Sequence, residues 1–405
     1  MKTNKKELSE FLHALWQQIE EKLKRPGYQL LFVVFCVIIS RLLICLTFFL
    51  WRTHTGQEIT FFEAFSRFDT SWYRSIITEG YSLEPNAGDK MDSANWAFFP
   101  LMPVIMRLIH FVIPINWDLL AFFVSSLFFA AALFIAFRYI LQFHEKVEQA
   151  VIFTLLMSFG VYNFYFSLLY TEALFFFFVV LFFYAMRNKK YILMGIAGAL
   201  ASATRTIGIM LVFAIAVQYT VEFIQNRDCR RTHIFAIIKN YITGFLGNIR
   251  LVIGTVLVPA GLFAYMLYLR IRTGDAMAFV HIQIAWGKRE VSNPVKILLD
   301  SLTNVDSAVF YLSLWALFGI YCIWVLLKKK HWSEAAVCTL FVMIPLSTSM
   351  IAMPRYLIGC FLPLLGFTED VADWSLDKKV ILMAGSFLFN FVCLIGWFNS
   401  AGYVM

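Results

Sequence analysis

Charged side chains are scarce in this chain. Only 15% of its 405 residues are Asp, Glu, Lys or Arg, whereas a soluble domain carries about 25%. Its polar stretches are also short, and none reaches the roughly 50 residues that a folded domain needs. The composition therefore excludes a separate soluble domain.

Cysteine is scarce as well. The chain contains seven cysteines, and no two of them have Cys-x-x-Cys spacing. Neither a disulfide framework nor a cysteine metal site follows from that pattern. The cysteines lie mostly inside apolar runs, where we interpret them as small packing residues.

Long apolar runs dominate the sequence, in which 60% of the residues are hydrophobic. A helix needs about 20 apolar residues to cross the hydrocarbon core of a bilayer. With the longest runs divided, we predict an all-α polytopic membrane protein of about 10–12 spans. The runs cover residues 28–51, 97–115, 118–141, 149–186, 191–221, 251–271, 307–327, 333–353, 356–368 and 380–400.

Basic residues cluster between these runs, and the net charge is +8. The positive-inside rule explains this charge by topology, without a nucleic-acid partner. It predicts a cytoplasmic N-terminus, an amphipathic cytoplasmic segment over 1–27 and a single transmembrane domain over 28–405. The loops 52–96 and 272–306 then lie outside the cytoplasm.

The topology between residues 97 and 221 conflicts with this rule. Single crossings would place the basic turn Arg187–Lys190 outside the cytoplasm. A re-entrant segment or a broken helix would remove the conflict. The run 191–221 is a candidate, because glycines and Arg205 interrupt its centre.

Asp69 is a carboxylate beside the first apolar run. Apolar residues recur at helical spacing from Ile59 to Tyr81, which predicts an amphipathic helix on the outer membrane surface. Asp69 would lie at the edge of its apolar face, where partial desolvation suits a general base. The alternative is an ion pair with Arg67 or Arg74 that anchors the helix.

Glu172, Arg205 and Arg355 are ionisable residues flanked by apolar sequence. Such residues usually face a cavity or pair with one another. Glu172 either belongs to an active site or neutralises an arginine on another helix. The two arginines either pair with Glu172 or hold a phosphate through charge-assisted hydrogen bonds.

The second outer loop contains His281, Gln283 and Trp286. These side chains offer the hydrogen bonds and the aromatic face that a sugar site needs. His281 lacks a second histidine at helical spacing, which disfavours it as a metal ligand.

Several motifs occur together in a fixed order. They are RFDTSWYRSIITEGY with NWAFFPLMP, NFYFSLLYTEALF, GALASATRTIGIMLV, GDAMAFVHIQIAWGK and PRYLIGCFLPL, within about residues 60–366. The series resembles the PIG-V-type mannosyltransferases, which belong to the GT-C glycosyltransferases. Two positions depart from that pattern: Phe68 replaces the usual Trp, and Thr171 replaces a Ser.

The resemblance implies a GT-C-like bundle whose active site faces the extracytoplasmic or luminal side. A hexose, with mannose expected, would pass from a polyprenyl- or dolichyl-phosphate donor to a glycan or glycolipid acceptor. Carried over to this chain, the catalytic residues are Asp69 and Glu172. The substrate-binding candidates are Arg67, Trp72, Tyr73, Tyr81, Phe99, Arg205, His281, Gln283, Trp286, Arg355 and Tyr356.

The remaining expectations concern cofactors, partners and location. No cofactor is firmly implied, and whether Asp69 and Glu172 hold a divalent cation stays open. Membrane lipids are the expected partners, with a small membrane subunit as a further candidate. A bacterial plasma membrane is favoured over the ER. The alternatives to an enzyme are a transporter or flippase of lipid-linked saccharides and a non-catalytic membrane subunit.

Overall fold

Helices form the whole regular structure of the described chain. The computed structural model describes residues 14–85, 93–226, 234–286, 292–305, 307–348 and 350–404. Within these ranges no strand is present, which confirms the all-α prediction. Of the predicted N-terminal segment 1–27, residues 14–23 are helical, and residues 1–13 lie outside the described part.

The α-helices that follow are labelled here in chain order. They are α1 (Pro26–Thr55), α2 (Phe61–Phe65), α3 (Thr70–Thr78), α4 (Leu101–Val112), α5 (Trp117–Phe143), α6 (Val147–Phe159), α7 (Glu172–Arg187), α8 (Tyr191–Ser202), α9 (Leu211–Gln225), α10 (Ile234–Gly247), α11 (Ile249–Leu257), α12 (Ala260–Thr273), α13 (Ala278–His281), α14 (Pro294–Thr303), α15 (Ala308–Lys328), α16 (Trp332–Thr348), α17 (Met353–Ile358), α18 (Phe361–Val371) and α19 (Leu376–Phe398).

Five of the described helical segments are long and apolar enough to cross a bilayer. They are α1, α5, the stretch Thr206–Gln225 that ends in α9, α15 and α19. A sixth is present if α11 and α12, which meet at 41°, count as one span. These helices support a multi-pass membrane protein.

The predicted number of about 10–12 spans is larger than this number of long helices. Several apolar runs form helices of only 10–17 residues, including α4, α6 and α16. Such helices are shorter than the roughly 20 residues of a full crossing. Run length overestimates the number of long helices because irregular segments interrupt some of the runs.

The run 149–186 is one of the interrupted runs. Helix α6 ends at Phe159, and α7 begins only at Glu172, with a buried 3-10 turn at Asn163–Ser167 between them. A Cβ atom at Gly160 would lie 2.2 Å from the carbonyl oxygen of Leu156. Glycine is therefore required where the chain leaves α6.

Between α6 and α7 the chain turns back, so that the start of α6 and the end of α7 lie on the same side of the bundle; we call such a path a hairpin. Before α6, Lys146 pairs with Asp373 at 2.8 Å, and Asp373 also lies 3.4 Å from Lys329. After α7, Arg187 pairs with Glu334 at 2.7 Å, close to the same α15–α16 turn. We call this side of the bundle the basic end; it includes Lys146, Arg187, Lys189, Lys190 and Lys328–Lys330.

Helices α8 and α9 form a second hairpin of the same kind. Helix α8 ends at Ser202, and a 3-10 turn begins at Thr206. Helix α9 then returns towards the basic end, where Ser333 donates a hydrogen bond to Gln218 over 3.2 Å. The basic turn Arg187–Lys190 and the α15–α16 turn therefore lie on the same side of the bundle.

The predicted helix over residues 59–81 is two shorter helices. Helix α2 carries a capping box between Thr60 and Glu63, and α3 starts after Asp69. Between them Phe68 has a φ of 51°, a left-handed conformation that bulky residues rarely adopt. The prediction of one continuous helix missed this break.

The buried segment between α6 and α7 depends on hydrogen bonds from neighbouring helices. Ser125 on α5 donates to the carbonyl of Leu168 over 2.7 Å. Arg41 on α1 donates to the carbonyl of Phe166 over 3.2 Å. A buried carbonyl without a partner is strongly unfavourable, so these two bonds stabilise an irregular segment inside the bundle.

Ser125→Ala tests this support. The substitution removes the bond to Leu168, and we expect the free energy of unfolding to fall by about 1–3 kcal/mol. Thermal melting of the detergent-solubilised protein measures the change. Thr53→Ala is the control, because the Thr53 hydroxyl is exposed and donates to the carbonyl of Phe49 in its own helix. Equal shifts in the two variants would contradict this role of Ser125.

Candidate active site

Four charged side chains form a continuous chain of ion pairs. Arg355 donates from Nη1 to Asp69 Oδ2 over 2.8 Å and from Nε to Glu172 Oε1 over 2.9 Å. Arg205 also pairs with Glu172 Oε1. Two carboxylates therefore face two guanidinium groups, and the cluster as a whole is neutral. Charges inside an apolar bundle need such pairing.

Asp69 owes its position to the break between α2 and α3. The phenol of Tyr170 donates to the carbonyl of Arg67 and accepts from the backbone N–H of Asp69, each over 3.0 Å. The left-handed Phe68 stands between these two bonds and packs on Trp397 at 5.1 Å. Backbone strain of this kind clusters at functional sites.

Glu172 and Arg205 lie at the tips of the two hairpins. Glu172 is the first residue of α7, and its side chain is only 1% exposed. A helix N-terminus stabilises a carboxylate there. Arg205 lies in the break between α8 and α9, and its Nε donates to the hydroxyl of Thr171 over 2.9 Å. The two interrupted apolar runs thus supply two members of the charge cluster.

Aromatic rings hold the guanidinium groups in place. The guanidinium carbon of Arg355 lies 4.6 Å from the ring centre of Tyr170 and 5.3 Å from that of Tyr165. Arg205 lies 5.7 Å from the ring centre of Tyr356. Such cation–π contacts favour a fixed position for each cation.

A cavity of about 290 Å³ opens beside the charge cluster. Seven of the residues predicted for the site line it: Asp69, Tyr73, Phe99, Arg205, Gln283, Arg355 and Tyr356. Glu172 does not line the cavity and lies behind the two arginines. The structure thus brings together residues from five separate sequence motifs.

Three other predicted residues support the cavity from outside. Arg67 donates to the carbonyls of Ala64 and Phe398. Trp72 stacks on Phe98, with ring centres 5.8 Å apart. The phenol of Tyr81 donates to the carbonyl of Phe98 over 2.6 Å. Phe98 itself lines the cavity, so Trp72 and Tyr81 position one of its walls.

The predicted residues of the second outer loop divide in position. Gln283 reaches the cavity, whereas the side chain of His281 is 69% exposed and lies 2.7 Å from Asp275. The backbone N–H of Met277 and the nearby His281 lower the pKa of Asp275. The side chain of Trp286 lies outside the described part of the structure.

The alternative pairings predicted for Asp69 do not occur. Arg67 bonds to backbone carbonyls, and Arg74 pairs with Asp118. Asp69 pairs instead with the distant Arg355. Glu172 does neutralise arginines, and it contacts Arg205 and Arg355 together.

Several tyrosines near the cavity are neutral hydrogen-bonding groups. Burial raises the pKa of the Tyr73 and Tyr81 phenols above the usual value. Both therefore stay protonated near neutral pH. Tyr73 can accordingly offer a proton or a lone pair to a bound hydroxyl group.

Sequence reasoning missed Tyr165, Tyr170 and Thr171 as parts of the site. Tyr170 and Thr171 are adjacent to Glu172, and Tyr165 lies in the preceding 3-10 turn. The closely spaced polar groups in NFYFSLLYTE are the sequence feature that could have identified these residues. An irregular backbone at the hairpin tip, which the pattern of apolar residues does not reveal, turns these groups towards Arg205 and Arg355.

A larger apolar cavity of about 710 Å³ lies on another side of α17. Leu357 and Ile358 line it, and they lie two and three residues after Arg355 on the same short helix. Its other walls come from α6, α15, α18 and α19, and Gly385 of α19 borders the open space. One short helix therefore separates a charged cavity from an apolar one.

Comparison of the chain with protein-family models and with curated proteins finds no match.

Glu172→Gln tests whether this carboxylate stabilises the two arginines. We expect the free energy of unfolding to fall by about 3–5 kcal/mol, because the change leaves a buried positive charge uncompensated. Thermal melting measures the effect, and the exposed Glu84→Gln serves as the control.

A second variant separates charge balance from packing. Adding Arg205→Gln to Glu172→Gln removes one positive charge and should recover part of the loss in a double-mutant cycle. Losses that simply add in the double variant would contradict the charge-balance explanation.

Proposed function

We propose that this protein is an integral-membrane glycosyltransferase. It would move a hexose, with mannose as the first candidate, from a polyprenyl- or dolichyl-phosphate donor to an extracytoplasmic or luminal glycan or glycolipid. The observation that carries the proposal is the 290 Å³ cavity that Asp69, Arg205 and Arg355 line together. The order of motifs that resembles the PIG-V-type GT-C enzymes supports it independently.

The two arginines suit a phosphate leaving group. Guanidinium groups bind phosphate oxygens through paired, charge-assisted hydrogen bonds. As the C1–O bond of the sugar phosphate breaks, its electron pair passes to the phosphate, whose growing negative charge Arg205 and Arg355 stabilise. Tyr165 and Tyr170 keep Arg355 in the orientation that this role needs.

Asp69 suits the role of general base. Its side chain is 23% exposed, so an acceptor hydroxyl in the cavity can reach it. In the structure Asp69 shares Arg355 with Glu172. A donor phosphate would compete for that guanidinium and so leave the carboxylate better able to accept a proton. The acceptor oxygen then bonds to C1 as its proton passes to Asp69, with inversion at C1.

The dimensions of the cavity fit one sugar unit. A volume of about 290 Å³ is close to the lower limit of small-molecule pockets, about 300 Å³. Phe98, which Trp72 supports from outside, adds an aromatic wall of the kind that packs against the C–H face of a sugar ring. The lipid chain also needs an apolar site, and the 710 Å³ cavity on another side of α17 is the candidate for it.

Asp69→Asn tests the general base. We expect the rate of sugar transfer to fall about 10²- to 10⁴-fold, because the amide does not accept the proton. Purified protein in lipid nanodiscs would receive polyprenyl-phosphate mannose and a lipid extract as acceptor. The readout is the release of polyprenyl phosphate, with donor binding measured in parallel.

Asp300→Asn is the matched control, since Asp300 is exposed on α14 and does not line the cavity. It should retain wild-type transfer. If the wild type releases no polyprenyl phosphate but moves the donor across the bilayer, the protein is a flippase. Equal release by the wild type and Asp69→Asn would remove Asp69 from catalysis.

Gly385→Leu tests the lipid-chain site. A Cβ at Gly385 meets no atom within 4 Å, so the leucine should enter the apolar cavity without disturbing its walls. We expect KM to rise for a long-chain donor and to change little for a short-chain analogue. Gly27→Leu, at another open position, is the control. The same change in KM for both donors would contradict this placement of the chain.

A further inference from the structure

A second polar cluster lies at the basic end, away from the charged cavity. It consists of His144 after α5, His331 in the α15–α16 turn and Glu369 on α18. The three residues come from different parts of the chain, and the transfer chemistry uses none of them. They converge where three helix ends meet.

The ligand atoms of this cluster lie close together. Glu369 Oε2 is 3.3 Å from His144 Nδ1 and 2.9 Å from His331 Nε2. The two imidazole rings stack, with centres 4.2 Å apart and an angle of 30° between their planes. One atom from each residue can be chosen so that all three lie within 4.8 Å of one another.

These atoms lack ordinary hydrogen bonds. Among the described residues, neither ring nitrogen of His144 has a hydrogen-bond partner, nor do His331 Nε2 and Glu369 Oε2. The distances allow an ion pair, but the directions do not form a hydrogen bond. The side chain of His144 is only 1% exposed, and a buried polar group without a partner is unfavourable. A bound cation would satisfy these atoms together.

The donor set has the chemistry of a zinc site. Two imidazole nitrogens and one carboxylate oxygen bind Zn²⁺ at about 2.0–2.2 Å, with a fourth position left for water. Tetrahedral ligands at that distance are about 3.4 Å apart, close to the 3.3 and 2.9 Å found here. His331 and Glu369 keep 15% and 11% exposure, which leaves access for a fourth ligand.

Carboxylates offset part of the positive charge around the cluster. Lys146 and Lys329 are both paired with Asp373. Arg187 is paired with Glu334. Because two lysines share one carboxylate, the nearby positive charge is offset only in part, and Glu369 provides negative charge at the site itself.

We propose that His144, His331 and Glu369 form a binding site for a divalent transition-metal ion, with Zn²⁺ as its occupant. The ion would cross-link the turn after α5, the α15–α16 turn and α18. Because α18 follows α17, which carries Arg355, this cross-link fixes the basic end of the helices that build the charged cavity. Its role is structural and does not depend on the proposed transfer reaction.

Zinc binding by the tag-free protein tests the site. Protein freed of metal with a chelator in detergent would be titrated with Zn²⁺, with bound zinc and the melting temperature measured. We expect about one strongly bound ion per chain and a rise in melting temperature. Glu369→Gln and His331→Asn should each weaken binding at least about 10-fold, the lower bound for disturbing even the outer shell of a zinc site.

His281→Asn is the matched control, because His281 is an exposed histidine that also faces a carboxylate. It should bind zinc as the wild type does. If the site variants do not fold, Co²⁺ added to the wild type decides: the absorption bands of a tetrahedral complex support the site. Absence of those bands, or a wild type that retains no zinc and melts at the same temperature with and without it, overturns the proposal.

Discussion

The structure depends on the hydrogen bonding of an irregular backbone inside an apolar bundle. Peptide groups that leave a helix within such a bundle need partners from the protein. Between α6 and α7, Ser125 and Arg41 supply them. Once this segment is held, Tyr170 and Thr171 stand beside Glu172 at the hairpin tip. An irregular segment can exist inside the bundle only where neighbouring side chains bond to its peptide groups. This requirement determines where polar side chains can point into the bundle.

Charge balance is the second constraint. Asp69 and Glu172 offset Arg205 and Arg355, so the cluster can be buried without a net charge. Arg355 is shared by both carboxylates, which makes its pairing the easiest to exchange. Glu172 is buried and holds two cations, whereas Asp69 is partly exposed and holds one. A bound anion would therefore displace Asp69 from Arg355 before it displaced Glu172, and only Asp69 would become available to a bound hydroxyl.

The sequence predicted the all-α class and many of the residues that line the charged cavity. Ionisable residues in apolar runs are conspicuous, so Glu172, Arg205 and Arg355 were identifiable before their contacts were known. The number of long helices was harder to predict, because the sequence around Gly160 and Ser202, where helices end, is as apolar as the helices themselves. The break at Phe68 depends on a left-handed backbone that residue type does not predict. His144, His331 and Glu369 are solitary in the sequence, and only tertiary structure brings them together.

The charge cluster and the basic end lie at opposite ends of shared helices. Helix α7 begins at Glu172 in the charge cluster and ends at Arg187, which pairs with Glu334 at the basic end. Helix α16 carries Glu334 in its first turn, at the basic end, and reaches the cavity wall at Thr348. Because packed helices move as rigid elements, fixing the basic end restricts the positions that Glu172 and Thr348 can adopt. The distances between the arginines and the carboxylates of the charge cluster therefore depend on contacts at the other ends of these helices. No sugar donor or acceptor would touch the residues that make those contacts.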